Sequence, residues 1–172
     1  MIKEFLHTKI GARVGFALGL RGFNRVIAIH NGKVFSKSYN SRTDKGAALM
    51  GSLMSGSSLG SITSPLPPLY IALSTSVLTP AAGDTTLSGE TSVSGLGRAL
   101  GTAGSYSAPA SLDGAASYTV TKTFTAGGSA AINSTGLFDA SSSGNLFAEA
   151  NLSVTRNLVI NDTLAITWTV NI

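Results

Sequence analysis

The chain has 172 residues, no cysteine and only 12% charged residues, with a formal net charge of +4 at pH 7. This length suits one domain with a core plus an appendage, and the lack of Cys excludes a disulfide framework or a Cys-ligated metal. No run of about 20 apolar residues occurs, so we expect no membrane-spanning helix and no membrane partner.

The charges are distributed unevenly. Residues 1–50 hold nine Lys and Arg against two acidic residues, whereas the rest holds three against six. We therefore predict that residues 1–45 form a basic N-terminal arm that docks on an acidic protein surface. Nucleic acid is disfavoured as a partner because the cations are spread out and the aromatic residues match no RNA or DNA module. The predicted partner-binding residues are Arg13, Arg21, Arg25 and Lys37 by charge, and Phe5, Phe16 and Phe23 by apolar burial.

Residues 25–39 of this arm are predicted to form a β-hairpin. Asn31-Gly32 lies between two strand-like runs and tolerates the positive φ angles of a type I′ turn. In this register Ile29 pairs with Val34, and Ala28 pairs with Phe35. Because a lone hairpin is marginal in water, we expect it to pack on another surface.

Residues 46–68 are rich in Gly, Ser and Pro. Their composition is typical of a flexible connector, with one short helical turn around Ala47–Met54. Pro65, Pro67 and Pro68 end this connector because proline cannot continue a helix.

Residues 69–172 contain short apolar stretches separated by turn residues, without helical periodicity. This pattern predicts an all-β fold, an antiparallel β-sandwich that is jelly-roll-like, preceded by the extended arm and its hairpin. In the final stretch, large apolar side chains alternate with small or polar ones, so we place Trp168 in the core and not on a ligand platform. The predicted strands are Leu69–Ser74, Gly97–Leu100, Ser117–Thr125, Ala130–Phe138, Leu146–Leu152, Leu158–Ile160 and Leu164–Ile172.

No constellation of catalytic residues is visible. The only histidines, His7 and His30, stand in unrelated contexts, and the serines lack a nucleophile elbow. Asp139 and Asn145 flank a Ser-rich turn and carry oxygens suited to a cation, but a plain turn explains them better. We predict no catalytic, cofactor or metal site, and no enzyme.

Several segments from Tyr70 onward resemble one recurring pattern: Tyr70–Thr75, Gly97–Ala99, Tyr118–Thr125, Gly136–Ala140, Ser143–Leu146 and Asp162–Trp168. In this order they are similar to a family of small β-rich virion structural proteins of tailed bacteriophages, of the tail-fibre-like or head-associated kind. The resemblance covers about residues 70–172. It implies a protein of the virion whose partners are capsid or tail subunits.

We therefore expect a non-enzymatic virion component, assembled in the host cytoplasm and attached to the particle by its basic arm. It would serve as a head decoration or cement protein, or as a tail or collar accessory protein. A homo-oligomer is expected, and a trimer suits such attachment points. The alternative is a tail-fibre module that binds host-surface glycans, for which the exposed aromatic candidate is Tyr106.

Overall fold

The computed structural model describes residues 24–40, 43–55, 66–108 and 116–171. Its elements in chain order are β1 (Asn24–His30), β2 (Lys33–Asn40), α1 (Asp44–Ser55), β3 (Tyr70–Ser74), β4 (Ala99–Leu100), β5 (Thr102–Ala103), β6 (Ser117–Thr125), β7 (Ala130–Phe138), β8 (Leu146–Leu158) and β9 (Thr163–Asn171). The strands form a five-stranded sheet in the order β2-β1-β9-β6-β5 and a four-stranded sheet in the order β4-β3-β7-β8. All pairings are antiparallel, which confirms the predicted all-β sandwich.

Strand β9 lies in the middle of the five-stranded sheet, between β1 and β6. Its residues alternate strictly between buried and half-buried, as the period of two in its sequence predicts. Leu164, Ile166, Trp168 and Val170 have no solvent exposure and pack in the core between the sheets. The prediction that Trp168 is a core residue is confirmed.

The hairpin of β1 and β2 extends the five-stranded sheet, because β1 also pairs with β9 from Arg25 to His30. Its turn residues have the expected positive φ angles, 46° at Asn31 and 78° at Gly32. The predicted pairing of Ile29 with Val34 is confirmed. The hairpin thus obtains from β9 the packing surface that it needs.

The second predicted pair in this hairpin is wrong. Ala28 pairs with Ser36 and not with Phe35, because a β-bulge leaves Phe35 as an extra residue on β2. A bulge bends its strand and redirects one side chain. Phe35 here packs against the core, with the Arg156 guanidinium 3.9 Å from its ring centroid.

Side-chain hydrogen bonds tie the hairpin to the rest of the sandwich. At its turn, Asn31 donates to the Asp162 carboxylate at 3.0 Å and accepts from the Thr163 backbone N–H at 2.9 Å. Along β2, the Ser36 hydroxyl accepts from the Ser153 N–H of β8 at 2.8 Å. Because β2 and β8 lie at the edges of different sheets, this contact closes one side of the sandwich.

The connector contains more order than its composition predicts, since α1 runs over twelve residues. Thr43 caps this helix, because its hydroxyl accepts from the Gly46 N–H at 2.9 Å while its own N–H donates to the Phe147 carbonyl at 3.1 Å. Glycine is needed at position 46, where a Cβ atom would stand 2.1 Å from the Phe147 carbonyl oxygen. Docking on β8 therefore stabilises a helix that its own sequence would not.

A long segment between β3 and β4 covers the outer face of the four-stranded sheet. Leu78 and Leu87 from this segment pack against Ala72, Phe138 and Leu146, and form a second, smaller apolar cluster. The helix α1 also meets this layer, because the Asp44 N–H donates to the Ala82 carbonyl at 2.8 Å.

Arg98 fixes the end of this covering segment. Its guanidinium donates two hydrogen bonds, of 2.9 and 2.7 Å, to the Glu90 carboxylate and a third of 2.7 Å to the Ser143 carbonyl. It also lies 3.4 Å from the Phe138 ring centroid. A planar fork that pairs with a carboxylate and stacks on an aromatic ring is a role that lysine cannot fill.

Three strand predictions differ from the structure near the chain's turns. Leu158–Ile160 is not a separate strand, because β8 continues from Leu146 to Leu158 and the chain then turns. The pairing of β8 with β7 is irregular opposite Asn133, and beyond that point β8 pairs with the first residues of β7. As a result, β8 is longer than the alternation of its side chains predicts. The predicted strand Gly97–Leu100 keeps only its last two residues, and the short β5 was not predicted.

Candidate interaction surfaces

The two described residues among those predicted to bind partners, Arg25 and Lys37, lie on the outer face of the five-stranded sheet. The neighbours Val26 and Ala28 are fully buried, so strand alternation turns Arg25 outward. Lys37 is exposed on β2, directly opposite Ile27. The structure thus places both cations on one surface, which we call the hairpin face and define by Arg25, Ile27 and Lys37.

Arg25 has an unused donor at this face. Its Nε atom is shielded from solvent but has no hydrogen-bond partner among the described residues. A shielded donor without an acceptor costs free energy, of the order of 1–3 kcal/mol.

The acidic side chains of the sandwich, in contrast, have partners within the chain. The described contacts are Glu90 with Arg98, Asp139 with Asn145, Asp162 with Asn31, and Asp84 with the Ala81 N–H. Among the described residues, no ion pair joins Arg25, Lys33 or Lys37 to an acid. The hairpin therefore carries positive charge that the sandwich itself does not neutralise.

The other residues predicted to bind partners lie outside the described residues: Arg13, Arg21, Phe5, Phe16 and Phe23. His7 lies outside them as well. His30 is described, and its Nε2 atom lies 3.3 Å from the Asp162 carboxylate without the alignment of a good hydrogen bond. The Val159 N–H and the Asn31 amide, with His30 as a smaller influence, hold the pKa of Asp162 below its ordinary value.

The Ser-rich turn after β7 is an ordinary turn. The Asp139 carboxylate accepts hydrogen bonds of 2.6 Å from both the backbone N–H and the side-chain amide of Asn145. Its oxygens are therefore already engaged, which supports the turn interpretation over a cation site. In the described part of the chain, no group of three or more His, Asp or Glu residues is placed to hold a metal ion.

Glu149 forms a carboxyl pair with Asp84 beneath the covering segment. Burial, with a smaller effect from the hydrogen bond and the negative charge of Asp84, raises the pKa of Glu149 to about 7. Such a shift is common in catalytic sites. Glu149 is only 3% exposed, however, and is therefore closed to a substrate, although Asp84 is half-buried; we assign Glu149 a structural role.

A second surface lies at the opposite edge of the five-stranded sheet. It is an open groove of about 500 Å³, which we call the threonine groove and define by Leu100, Thr102, Thr119, Thr121, Lys122 and Thr123. Tyr106, the exposed aromatic residue singled out from the sequence, is 63% exposed. It lies between Gly104, which also lines the groove, and Ser107, which bridges to Ser117 of β6.

Sequence reasoning found Tyr106 but missed this groove. The alternation of Thr119, Thr121 and Thr123 along β6 shows that these side chains share one face. It does not show that β5 ends beside them and leaves their edge open, because β5 has only two residues and no detectable pattern. That short strand creates the groove.

Comparison with known proteins identifies the family. A scan of protein families matches residues 47–169 to the family described as Podophage GP4 fiber I protein gp80. Searches of curated proteins and of solved structures returned no match. Within the described ranges, no helix has the length and apolar character needed to cross a membrane. The match confirms the resemblance to phage virion structural proteins, and since it spans more than two thirds of the chain, this protein belongs to the Podophage GP4 fiber I protein gp80 family of phage fibre-type structural proteins.

Proposed function

We propose that this protein is a non-enzymatic structural component of a tailed-phage virion, held on the particle by its basic N-terminal region. The hairpin face would dock on an acidic surface of a neighbouring capsid or tail subunit, as a head decoration or cement protein or as a tail or collar accessory. The observation that carries the proposal is the positive charge of Arg25 and Lys37 on one sheet face, where no acid among the described residues forms an ion pair with either of them.

The extent of the family match supports a role for the basic N-terminal region in attachment. It begins at residue 47, so the hairpin and the residues before it lie outside the part shared with the family. A basic segment that lies outside the matched part is a candidate for attachment to the particle. The buried Glu149 and the internally bonded acids support a role without catalysis.

The test uses particles that lack this protein and compares the full-length chain with Arg25→Ala/Lys37→Ala. Two ion pairs of up to about 1 kcal/mol each predict up to about 30-fold weaker binding for the double variant. Lys122→Ala, a cation on a different part of the sheet, is the matched control and should bind normally. Equal binding of the double variant and the full-length chain would refute the role of the hairpin face.

A chain that begins at residue 24 tests the predicted contribution of Arg13, Arg21 and the three phenylalanines. It keeps every described element, whereas removal of residues 1–45 would delete two strands of the five-stranded sheet. Binding by charge weakens as ionic strength rises. Loss of binding on truncation without any salt dependence would instead favour apolar burial of Phe5, Phe16 and Phe23.

The proposed homo-oligomer, with a trimer as the expected state, follows from the closed symmetry that phage attachment points favour. Multi-angle light scattering of the full-length chain would measure it. A monomer at all concentrations would remove this part of the proposal.

The second candidate function is recognition of host-surface glycans. The observation that favours it is the threonine groove next to the exposed Tyr106. Hydroxyl groups and an aromatic ring are the kinds of group that bind saccharides, through hydrogen bonds and stacking on C–H faces. A glycan array without any hit would discard this function and would leave the attachment proposal intact.

A further inference from the structure

The turn of the hairpin carries the only Asn-Gly pair of the chain. Of the nine asparagines in the sequence, Asn31 alone precedes a glycine. The pair suits a type I′ turn, and both residues have positive φ angles and are exposed to solvent. The same pair is chemically reactive, because a glycine has no side chain to shield its backbone nitrogen from the asparagine amide that precedes it.

The reaction open to this pair is deamidation. The Gly32 backbone nitrogen gives its proton to solvent and attacks the Asn31 Cγ atom, so that a bond forms between these two atoms. The Cγ–Nδ2 bond breaks, and the amide nitrogen takes up a proton and leaves as ammonia. Water then adds to one carbonyl carbon of the resulting succinimide ring, which opens to aspartate or isoaspartate. No atom is oxidised or reduced, and water is the co-reactant.

In the folded chain the attacking nitrogen is free, but the asparagine amide is held. Among the described residues the Gly32 N–H donates no hydrogen bond, and a Cβ atom built on Gly32 would meet nothing within 4 Å. The Asn31 amide, in contrast, donates to the Asp162 carboxylate at 3.0 Å and accepts from the Thr163 N–H at 2.9 Å. The reaction must break the bond to Asp162, because the nitrogen that leaves is the one that Asp162 holds.

This restraint exists only while the hairpin is docked on β9. Asp162 is itself fixed, because its other carboxylate oxygen accepts from the Val159 N–H at 3.0 Å and its carbonyl accepts from the Ala126 N–H at 2.9 Å. The Asn31 N–H adds a backbone bond of 3.0 Å to the Thr163 carbonyl. Turns at the ends of strands open locally at a lower free energy than the whole domain. Such an opening releases the Asn31 amide.

Deamidation would turn this attractive contact into a repulsive one. A carboxylate at position 31 has no N–H to donate, and it would face the Asp162 carboxylate where the amide now lies 3.0 Å away. Two carboxylates that share one site disfavour the ionised form of each other. Isoaspartate would also add a methylene group to the main chain within a two-residue turn. Either product therefore opposes docking of the turn.

We propose that Asn31 is a deamidation site that docking of the hairpin protects, and that the modified turn no longer docks fully on β9. The modification accumulates only through opening of the hairpin, and docking cannot reverse it. The inference concerns the isolated chain and does not depend on the proposed attachment to a virion.

The first measurement follows aspartate and isoaspartate at position 31 by peptide mapping and mass spectrometry. The full-length chain is incubated at neutral pH in buffer and, as the unfolded reference, in urea. We expect the folded chain to deamidate at least about tenfold more slowly, since the open hairpin is the minor state. Asp162→Ala should raise the rate in buffer about tenfold, because it removes the acceptor that holds the Asn31 amide.

Asp139→Ala is the matched control for this variant. Asp139 also accepts a hydrogen bond from an asparagine amide, at 2.6 Å from Asn145 Nδ2, but it lies in the turn after β7, so the rate at Asn31 should not change. Equal rates in the folded and unfolded chains would overturn protection by docking. An equal increase in both variants would assign the effect to general destabilisation, and a slower reaction in Asp162→Ala would mean that the carboxylate assists the chemistry; either result would overturn the role of Asp162. If Asp162→Ala fails to fold, the comparison of buffer with urea still decides whether docking protects Asn31.

The second measurement uses Asn31→Asp as a stable form of the modified turn. The β1 amides that pair with β9 should exchange their hydrogens about tenfold faster than in the wild type. Adding Asp162→Asn to this chain restores a carboxylate–amide pair with its two members exchanged, and it should slow the exchange again. A wild-type exchange rate in Asn31→Asp would overturn the claim that the modified turn loses its docking. If the exchanged pair does not slow the exchange, the loss does not arise from the contact between positions 31 and 162.

Discussion

Replacing Glu149 with glutamine should change how the stability of this protein depends on pH. Glu149 is 3% exposed on β8 and is paired with Asp84 of the covering segment. Burial, followed by the hydrogen bond and charge of Asp84, raises the pKa of Glu149 from 4.5 to about 7. Glutamine keeps the size and the hydrogen-bonding capacity of the protonated acid but cannot ionise.

The direction of the effect follows from proton linkage. Between pH 4.5 and about 7 the folded chain keeps a proton on Glu149 that the unfolded chain has lost. The contribution of Glu149 to the free energy of unfolding is therefore fully present below pH 4.5 and is lost as pH rises through 7. One pKa unit corresponds to about 1.36 kcal/mol, so the full loss is about 3 kcal/mol.

The assay is urea unfolding of both chains at several pH values between 4.5 and 8.5, at constant ionic strength. The free energy of unfolding of Glu149→Gln minus that of the wild type should grow by about 3 kcal/mol across this range. Ionisable groups that do not interact with Glu149 are common to both chains and cancel in the difference. Asp84→Asn is the control, because it removes the charge of the partner and leaves Glu149 buried. In this background the pH-dependent difference that Glu149→Gln makes should be smaller than in the wild type but still present. A difference that stays constant with pH would refute the assignment of a protonated Glu149.

Three further predictions concern packing and are measured by urea unfolding. Trp168→Ala should lower the free energy of unfolding by about 3–5 kcal/mol as a large core truncation. Trp168→Phe should lower it by less than about 1.5 kcal/mol, because the indole N–H has no partner among the described residues. Equal losses in the two variants would contradict this reasoning. Arg98→Lys should cost about 1–3 kcal/mol through loss of the forked pairing with Glu90, and an unchanged midpoint would show that the pairing is unimportant. Gly46→Ala should destabilise by about 1–3 kcal/mol, because its methyl group collides with the Phe147 carbonyl, and the reverse result would mean that α1 does not dock on β8.

The sequence predicted the parts of the fold whose side chains alternate over a full strand. Strands β6 and β7 begin and end where predicted, and β9 begins one residue before its predicted start, because a long period of two is a strong local signal. For α1 the sequence predicted only one short helical turn around Ala47–Met54, since its glycines and serines have poor helical propensity, whereas the helix runs from Asp44 to Ser55. Its stability comes from contacts with β8, about 100 residues away, and such contacts leave no local pattern.

The bulge at Phe35 and the irregularity opposite Asn133 are tertiary effects of the same kind. The predicted pairing assumed an unbroken ladder, but Phe35 is drawn to the interior beside Arg156. The candidate surfaces were also predictable only in part. The charge of the hairpin was visible in the sequence, whereas its position on an outer sheet face and the existence of the threonine groove depended on strand order.

We expect the hairpin face to join this protein to the particle. An electron cryomicroscopy reconstruction of the intact virion tests it most directly. We expect Arg25 and Lys37 to lie within about 4 Å of acidic side chains of a neighbouring virion protein, with the threonine groove open to solvent. A reconstruction in which the hairpin face points to solvent while another surface makes the attachment would contradict it.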